Sequence, residues 1–186
     1  MHFASIKNCD IANGEGVRVS LFVSGCTHKC EGCFNPQAWD FNYGDEFTEK
    51  EIDQIIEMLA PDYISGLTLL GGEPLEPENQ DALIELLTQF KAELPNKKIW
   101  CYTGFSFRND LLPKVQQNKE SIKNFLELID VLVDGKFIEE LKSPALLFRG
   151  SSNQNIIDVK ASLSHNKMIL LDGVWERKMG SGNIYE

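Results

Sequence analysis

Three cysteines lie within eight residues of this chain, at Cys26, Cys30 and Cys33. A segment this short cannot satisfy disulfide geometry among three thiols, and the odd number leaves one thiol over. Close thiolates suit a soft metal or an iron–sulfur cluster, because such groups prefer sulfur ligands. A cubane cluster has four irons, so three cysteines would leave one iron open to a small molecule that can accept an electron. The segment from residue 25 to residue 35, which we name the cysteine loop, is therefore the feature around which the chain must fold.

Structural zinc is the alternative for the cysteine loop. Zinc sites usually use pairs of cysteines two residues apart, with a second pair elsewhere in the sequence. The other two cysteines, Cys9 and Cys101, do not form such a pair. We interpret His28, inside the loop, as a polar loop residue, because nothing in the spacing supports a ligand role. The spacing therefore favours a cluster over zinc.

Composition argues against several other classes of function. The chain has 186 residues, which is most simply one domain over residues 1–186, and its content of charged and hydrophobic residues is ordinary for a globular protein. The net charge of −10 argues against a nucleic-acid partner, since phosphate binding needs clustered Lys and Arg. The apolar runs are too short to cross a bilayer, and the N-terminus lacks the pattern of a secretory signal. We therefore expect a cytoplasmic protein with reduced thiols and no membrane contact.

Short apolar runs alternate with helical patterns along the chain. Residues 3–16 are polar, and Asn13-Gly14 predicts a tight turn between two short extended segments. Helices are predicted after the capping box of Thr48 and Glu51, at residues 78–94 and near 137–142, and in a region after Gly104 that is interrupted at Pro113 and resumes around residues 122–129. Strands are predicted at residues 17–23, 67–70, 98–102, 131–133 and 146–148, with 168–171 as a candidate sixth. This alternation predicts an α/β fold, arranged as a partial (incomplete) parallel β/α barrel of five to six strands.

The unusual loops of the chain all follow predicted strands. In parallel folds the working residues gather at the carboxyl ends of the strands. We therefore expect these loops to meet on one face and form a single site. They are the cysteine loop, the Gly-Gly-Glu-Pro sequence at residues 71–74, Thr103-Gly104, Asp134 with Lys136, and the polar loop at residues 150–154.

Each loop also has a simpler interpretation. Gly71 and Gly72 can let backbone approach a ligand, and the Glu73 carboxylate can accept from an ammonium group. Glu73 could instead only favour the start of the next helix. Asp134 and Lys136 could bind the charged ends of a ligand or form an exposed ion pair. We favour the site interpretation for residues 71–74, because the cysteines are predicted to lie nearby.

Together these motifs resemble those of the radical S-adenosylmethionine enzymes, which share the Cys-x3-Cys-x2-Cys spacing followed by Gly-Gly-Glu-Pro. Within them the chain is similar to the group that activates anaerobic ribonucleotide reductase. Many radical S-adenosylmethionine enzymes have an aromatic residue just before the third cysteine, whereas this chain has Gly32 there and Phe34 after it, a departure that this group shares. Residues 159–186 form a C-terminal extension without an assignment. The resemblance covers about residues 5–158, through the strings 17–26, 33–35, 100–104, 131–137 and 149–154.

The resemblance implies a fold, two cofactors and a reaction. It implies a partial barrel of the radical S-adenosylmethionine type, whose [4Fe-4S] cluster takes the amino and carboxylate groups of S-adenosylmethionine at its open iron. The 5′-deoxyadenosyl radical would then take a hydrogen from a glycine of the large reductase subunit, and a flavodoxin-type protein would donate the electron. The implied metal ligands are Cys26, Cys30 and Cys33. The implied cofactor contacts are Gly32, Cys33 and Phe34 for the adenine, Gly71, Gly72, Glu73 and Pro74 for the ammonium, and Asp134 and Lys136 as further candidates.

Two alternative functions stay open at this point. The protein could be a radical S-adenosylmethionine enzyme that acts on a small molecule or on another glycyl-radical enzyme. It could also be an iron–sulfur electron-transfer module or a zinc-binding module, which would produce no 5′-deoxyadenosine. The sequence also leaves open whether the protein is a monomer or a homodimer.

Overall fold

Seven strands form one mixed sheet in the computed structural model, which describes residues 1–173 and Trp175. Across the sheet their order is β3-β1-β2-β4-β5-β6-β7. The sheet is therefore open, with β3 and β7 as its outer strands. In chain order the strands are β1 His2–Asp10, β2 Val17–Val23, β3 Asp45–Glu46, β4 Ile64–Gly71, β5 Lys98–Tyr102, β6 Val131–Asp134 and β7 Asn155–Asp158.

The centre of the sheet is parallel and its edges are antiparallel. Strand β4 pairs in parallel with β2 and β5, and β5 pairs in parallel with β6. Strands β1 and β7 pair antiparallel with β2 and β6. The predicted mixture of helices and strands is confirmed, but the prediction of five to six parallel strands is wrong at both edges. Neither the β1–β2 nor the β6–β7 connection contains an α-helix that could make a crossover, so the chain reverses direction there.

The helices begin and end where local sequence signals place them. The predicted capping box is confirmed, because the Glu51 carboxylate accepts from the Thr48 N–H at 2.9 Å and the Thr48 side chain accepts from the Glu51 N–H. The predicted interruption at Pro113 is wrong: Pro113 lies in the first turn of a helix, where its missing N–H has no partner to lose, and the break falls between Gln116 and Glu120. The short helix predicted near residues 137–142 is a 3₁₀ turn at Glu139–Leu141. The α-helices are α1 Glu49–Leu59, α2 Pro77–Glu93, α3 Leu112–Gln116, α4 Glu120–Leu128 and α5 Val159–Ser164.

The two faces of the sheet have separate apolar clusters. Along β5, Ile99 and Cys101 join the main core, to which all five helices contribute. The residue between them, Trp100, points to the other face, as the pleat of a strand requires. There Trp100 is covered by Phe148 and Trp175 and not by a helix of the described chain. The second face is thus closed by irregular chain.

Residues 146–148, predicted as a strand, are not a strand of the sheet: Leu146 is in an isolated bridge, and Leu147 and Phe148 form a bend. Phe148 has a φ of 56°, and its ring centroid lies 5.6 Å from that of Trp100. The prediction failed because this short, half-buried apolar run is covered by aromatic packing and not by pairing in the sheet. The candidate sixth strand at residues 168–171 contributes an isolated antiparallel bridge between Leu170 and Ile157.

The C-terminal extension starts with α5 and continues to Gly173 and Trp175 in the described chain. The ring centroids of Trp175 and Trp100 are 6.1 Å apart, so the extension packs on the second face of the sheet. Residue 174 and residues 176–186, for which the sequence offered no interpretation, lie outside the described residues. Among the helices that are described, none has the length and apolar character needed to cross a bilayer.

Candidate functional site

A cavity of about 600 Å³ opens at the carboxyl ends of the parallel strands, and we name it the central cavity. Its volume is in the range of small-molecule sites. Its wall combines residues that follow β2, β4, β5 and β6 with residues of the 149–154 loop. The structure therefore brings the predicted loops together around one space. The lining residues that the sequence singled out are Cys26, Cys30, Cys33, Phe34, Gly71, Gly72, Glu73, Thr103, Gly104, Gly150 and Gln154.

The cysteine loop presents three thiols to the central cavity. All three are free and half-buried. Within residues 1–173 and Trp175, no three His, Cys, Asp or Glu side chains surround a single metal-ion position. A zinc site needs such convergence, with its sulfur ligands about 2.3 Å from one point, whereas a cluster bonds each cysteine through a different iron. The donors therefore fit an iron–sulfur cluster better than a single zinc ion.

The cysteine thiols differ in their surroundings. Burial raises the pKa of the Cys26 thiol to about 11, and the nearby Glu73 carboxylate adds to this effect. At neutral pH this sulfur carries its proton until a metal binds. Because a metal binds the thiolate, occupation of the site releases that proton.

The Gly-Gly-Glu-Pro turn at residues 71–74 lies directly against the start of the cysteine loop. The Gly72 N–H donates to the Val23 carbonyl at 2.7 Å, and the Glu73 N–H donates to the Gly25 carbonyl at 2.8 Å. A Cβ at Gly72 would lie 2.5 Å from the Gly25 carbonyl oxygen, which is too close for any side chain. Gly72 is therefore required for the close approach of the two loops.

Glu73 is almost fully buried, with 1% of its surface exposed, although it borders the central cavity. Its Oε1 accepts from the Leu75 N–H and from the Thr103 hydroxyl, each at 2.9 Å. Its Oε2 is 2.7 Å from the Gly104 nitrogen and 2.9 Å from Nε2 of His28. The alternative that Glu73 only favours a helix start is not supported, because these partners belong to the turn, to the end of β5 and to the cysteine loop.

Four of the predicted contacts lie away from the wall of the central cavity. Gly32 is exposed beside Glu139, and Pro74, the last residue of the turn, is buried. Asp134 is 2% exposed, so it is not part of an exposed ion pair. Lys136 is exposed and, with Asp134, borders a smaller polar pocket.

The hydrogen bonds of Asp134 indicate a structural role. Its Oδ2 accepts from the Phe107 N–H at 2.7 Å, and its Oδ1 accepts from the Asn155 side chain at 2.8 Å. These bonds link β6 to the π-helical turn Phe107–Leu111 and to β7. The roles of Gly32, Pro74, Asp134 and Lys136 as cofactor contacts stay predictions.

Two residues of the cavity wall were missed by sequence reasoning. His28, interpreted as a polar loop residue, is buried and bonded to Glu73. The Tyr102 hydroxyl is buried and has no hydrogen-bond partner in the described part of the chain, and burial raises its pKa above the ordinary value. Tyr102 is the last residue of a predicted strand, and the site was expected at strand ends, so its position could have identified it as a residue of the cavity wall. Tyr102 lines the central cavity, but its hydroxyl oxygen is itself enclosed by the protein, so this group is a buried unpaired polar atom behind the cavity surface.

Comparison with known proteins agrees with the chemistry of the cysteine loop. Residues 12–157 match the family model of the 4Fe-4S single cluster domain. Two bacterial relatives and one phage relative carry the name anaerobic ribonucleoside-triphosphate reductase-activating protein. The relative from Escherichia coli K12 is 42% identical over 156 residues, which are 83% of this chain and 96% of the relative. The relative from Haemophilus influenzae is 44% identical over 158 residues, 84% of this chain and 97% of the relative.

The relative from Enterobacteria phage T4 is 40% identical over 158 residues, 84% of this chain and 93% of the relative. Identity at this level over nearly the whole length of the relatives shows common descent and a common fold. Together with three thiols in one cavity wall, it leads to one conclusion: the chain belongs to the family of anaerobic ribonucleoside-triphosphate reductase-activating proteins, which has a 4Fe-4S single cluster domain.

Proposed function

We propose that the protein activates anaerobic ribonucleotide reductase by reductive cleavage of S-adenosylmethionine at a [4Fe-4S] cluster. One observation carries the proposal: the three cysteine thiols and the glycine turn at residues 71–74 border the same cavity. When bound, the cluster supplies the electron for this cleavage, and the 5′-deoxyadenosyl radical so released takes a hydrogen from a glycine of the reductase. The radical chemistry belongs to the cofactors, and the protein supplies ligands, orientation and exclusion of water.

In this proposal each part of the cavity wall has a separate task. Cys26, Cys30 and Cys33 hold the cluster, and the absence of a fourth thiolate from the loop leaves one iron for the cofactor. The turn at residues 71–74 receives the methionyl ammonium. The adenine lies against the backbone of Gly32, Cys33 and Phe34. Lys136 is assigned to a charged end of the cofactor, and Asp134, whose oxygens accept from Phe107 and Asn155, acts there by holding the loop that carries Lys136. The proposal also includes curvature of the open sheet into an incomplete barrel.

Phe34 supports the idea that a protein partner reaches the cavity. Its side chain is 70% exposed, although its ring borders the cavity and lies 5.1 Å from that of Phe137. An aromatic side chain at the mouth of a site offers apolar surface that a bound partner can cover. We propose that this molecule is the glycine-bearing segment of the reductase. A flavodoxin-type donor in the cytoplasm would supply the electron.

The first experiment is an anaerobic assay of S-adenosylmethionine cleavage. The full-length protein is reconstituted with iron and sulfide, reduced, and mixed with S-adenosylmethionine, and 5′-deoxyadenosine is measured. Cys30→Ala should abolish the product, whereas Cys9→Ala should not, because the Cys9 thiol is exposed outside the central cavity. Product formation that is equal in Cys30→Ala and wild type would contradict the proposal.

A second measurement addresses the partner. Adding the reductase should produce a glycyl electron-spin signal that depends on S-adenosylmethionine. Cleavage without this signal would favour a small-molecule substrate or another glycyl-radical enzyme. A cluster that undergoes redox cycling without any 5′-deoxyadenosine would favour an electron-transfer module.

A further inference from the structure

His28 lies within the cysteine loop, midway between Cys26 and Cys30, and its ring is turned into the protein. Only 8% of its side chain is exposed, and its Nε2 is 2.9 Å from Oε2 of Glu73, whose side chain is 1% exposed. Since a carboxylate oxygen accepts hydrogen bonds, Nε2 carries a hydrogen and donates it. A bond of this kind between two buried groups is worth more than one at the surface, because neither partner can turn to water instead.

The Glu73 carboxylate joins three segments that are distant in the sequence. Besides His28, it accepts from the Leu75 N–H, from the Thr103 hydroxyl and from the Gly104 N–H. These four donors match the roughly four acceptor positions of a carboxylate. The carboxylate therefore ties the loop after β2 to the turn after β4 and to the end of β5.

The space around the ring is shaped to hold it. The ring centroids of His28 and Phe105 are 4.5 Å apart in an edge-to-face arrangement. A Cβ at Gly104 would lie 2.4 Å from Cδ2 of His28, so the ring occupies the place that a side chain at Gly104 would fill. The position of the ring is thus set by packing as well as by its hydrogen bond.

A second pair of hydrogen bonds holds the cysteine loop next to the bond between His28 and Glu73. The N–H and the hydroxyl of Thr27 both donate to Oε1 of Glu76, the former at 2.8 Å. Glu76 is the residue that precedes α2, and 5% of its surface is exposed. Two neighbouring residues of the cysteine loop are therefore bound to the two carboxylates that flank Pro74 and Leu75.

The geometry points to His28 as a positioning residue. By donating to Glu73, it holds the cysteine loop against the glycine turn, so that the cluster and the ammonium-binding backbone keep a constant separation. This inference rests on the proposed function, in which the turn binds the ammonium group of S-adenosylmethionine. With its acceptor positions filled by the chain itself, the Glu73 carboxylate acts as the anchor of the turn, and the backbone of the turn meets the ammonium.

The test compares the replacement of His28 by Gln, Asn and Ala, which differ in whether a side-chain nitrogen can reach Glu73. In His28→Gln the side-chain nitrogen is the same number of bonds from Cα as Nε2 of histidine, whereas in His28→Asn it is one bond closer and falls short of Glu73. In the reconstituted full-length protein, His28→Asn and His28→Ala should keep the wild-type iron content. Their dissociation constant for S-adenosylmethionine, measured from its effect on the electron-spin spectrum of the reduced cluster, should rise about tenfold or more. His28→Gln should stay within about threefold of wild type.

A double-mutant cycle in the cluster-free full-length protein tests the hydrogen bond between His28 and Glu73 without any cofactor. His28→Ala and Glu73→Gln should each lower the urea midpoint of unfolding, and the double variant should lose less than the sum of the two. Additive losses in the urea midpoint would overturn the inference. So would a wild-type affinity of His28→Ala for S-adenosylmethionine. A loss of iron in His28→Ala would also overturn it, because His28 would then be a cluster ligand. If wild type binds no S-adenosylmethionine, the proposed function fails, while the cycle still decides whether His28 holds Glu73.

Discussion

Replacing Gly72 by alanine tests whether the turn at residues 71–74 must lie against the cysteine loop. A Cβ at this position would be 2.5 Å from the Gly25 carbonyl oxygen and 2.9 Å from the Ala38 carbonyl oxygen. Both neighbours are backbone atoms, so a change of rotamer cannot relieve the contact. The turn and the loop would have to separate by about 1 Å to restore a normal van der Waals distance.

The expected cost follows from this displacement. Overpacking of a well-packed region costs about 1–3 kcal/mol of unfolding free energy. A displacement of about 1 Å between groups that orient a substrate can lower the rate by about 100-fold. We therefore expect Gly72→Ala to fold with reduced stability and to cleave S-adenosylmethionine about 10–100-fold more slowly at equal iron content.

The assay measures urea unfolding, iron content and 5′-deoxyadenosine formation in the same preparations. Gly16→Ala is the matched control, because its Cβ would lie 2.0 Å from the Ser65 hydroxyl and its φ is 80°. Gly16 precedes β2 and, unlike Gly72, does not line the central cavity, so this variant should lose stability but keep its cleavage rate. Wild-type cleavage in Gly72→Ala, or equal losses of rate in both variants, would refute the reasoning.

Three further predictions concern single side chains. Burial raises the pKa of Asp130, but hydrogen bonds from Lys160, Lys91 and the Ile99 N–H outweigh it and hold the pKa below its usual value. This stabilisation is present above the unfolded pKa of about 4 and is lost as the pH falls through the folded pKa. Asp130→Asn should therefore lose about 1–3 kcal/mol at pH 7. Its difference from wild type in thermal unfolding should shrink as the pH falls below about 4 and through the lowered folded pKa of Asp130; a difference that does not shrink would count against the ion pairs. Tyr102→Phe should leave the cluster-free protein at least as stable as wild type in urea, because the lost hydroxyl has no partner in the described chain; a loss of stability would mean that the hydroxyl is bonded within the protein. Thr48→Ala should lower the unfolding free energy by about 1 kcal/mol through loss of the helix cap without changing the cleavage rate, and an unchanged urea midpoint would contradict the capping role.

Several elements were predictable from short windows of sequence. The β-branched run at residues 17–23 has the bounds of β2, and Thr48 with Glu51 marks the start of α1. Such signals depend on the properties of residues within about one turn or one strand, so neighbours along the chain are enough to interpret them.

Other elements depended on partners that short windows do not contain. Strand β7 lies at residues 155–158, whereas the more apolar run at residues 146–148 ends in a bend that packs Phe148 against Trp100. The antiparallel edges likewise follow from how the connections pass over the sheet, and hydrophobic periodicity is the same for both strand directions. The length of β1 and its register with β2 were therefore visible only in the structure.

The sequence by itself determined the donors of the site: three thiols at spacings of four and three residues, and two glycines before Glu73. These features depend on residue type and local spacing alone. Only the tertiary structure decided which groups the donors meet. His28 and Glu73 are 45 positions apart, and Glu73 and Gly104 are 31 apart. They meet because β2, β4 and β5 are neighbours in a parallel sheet, so the loops at their carboxyl ends share one edge, and strand order is a property of the whole chain.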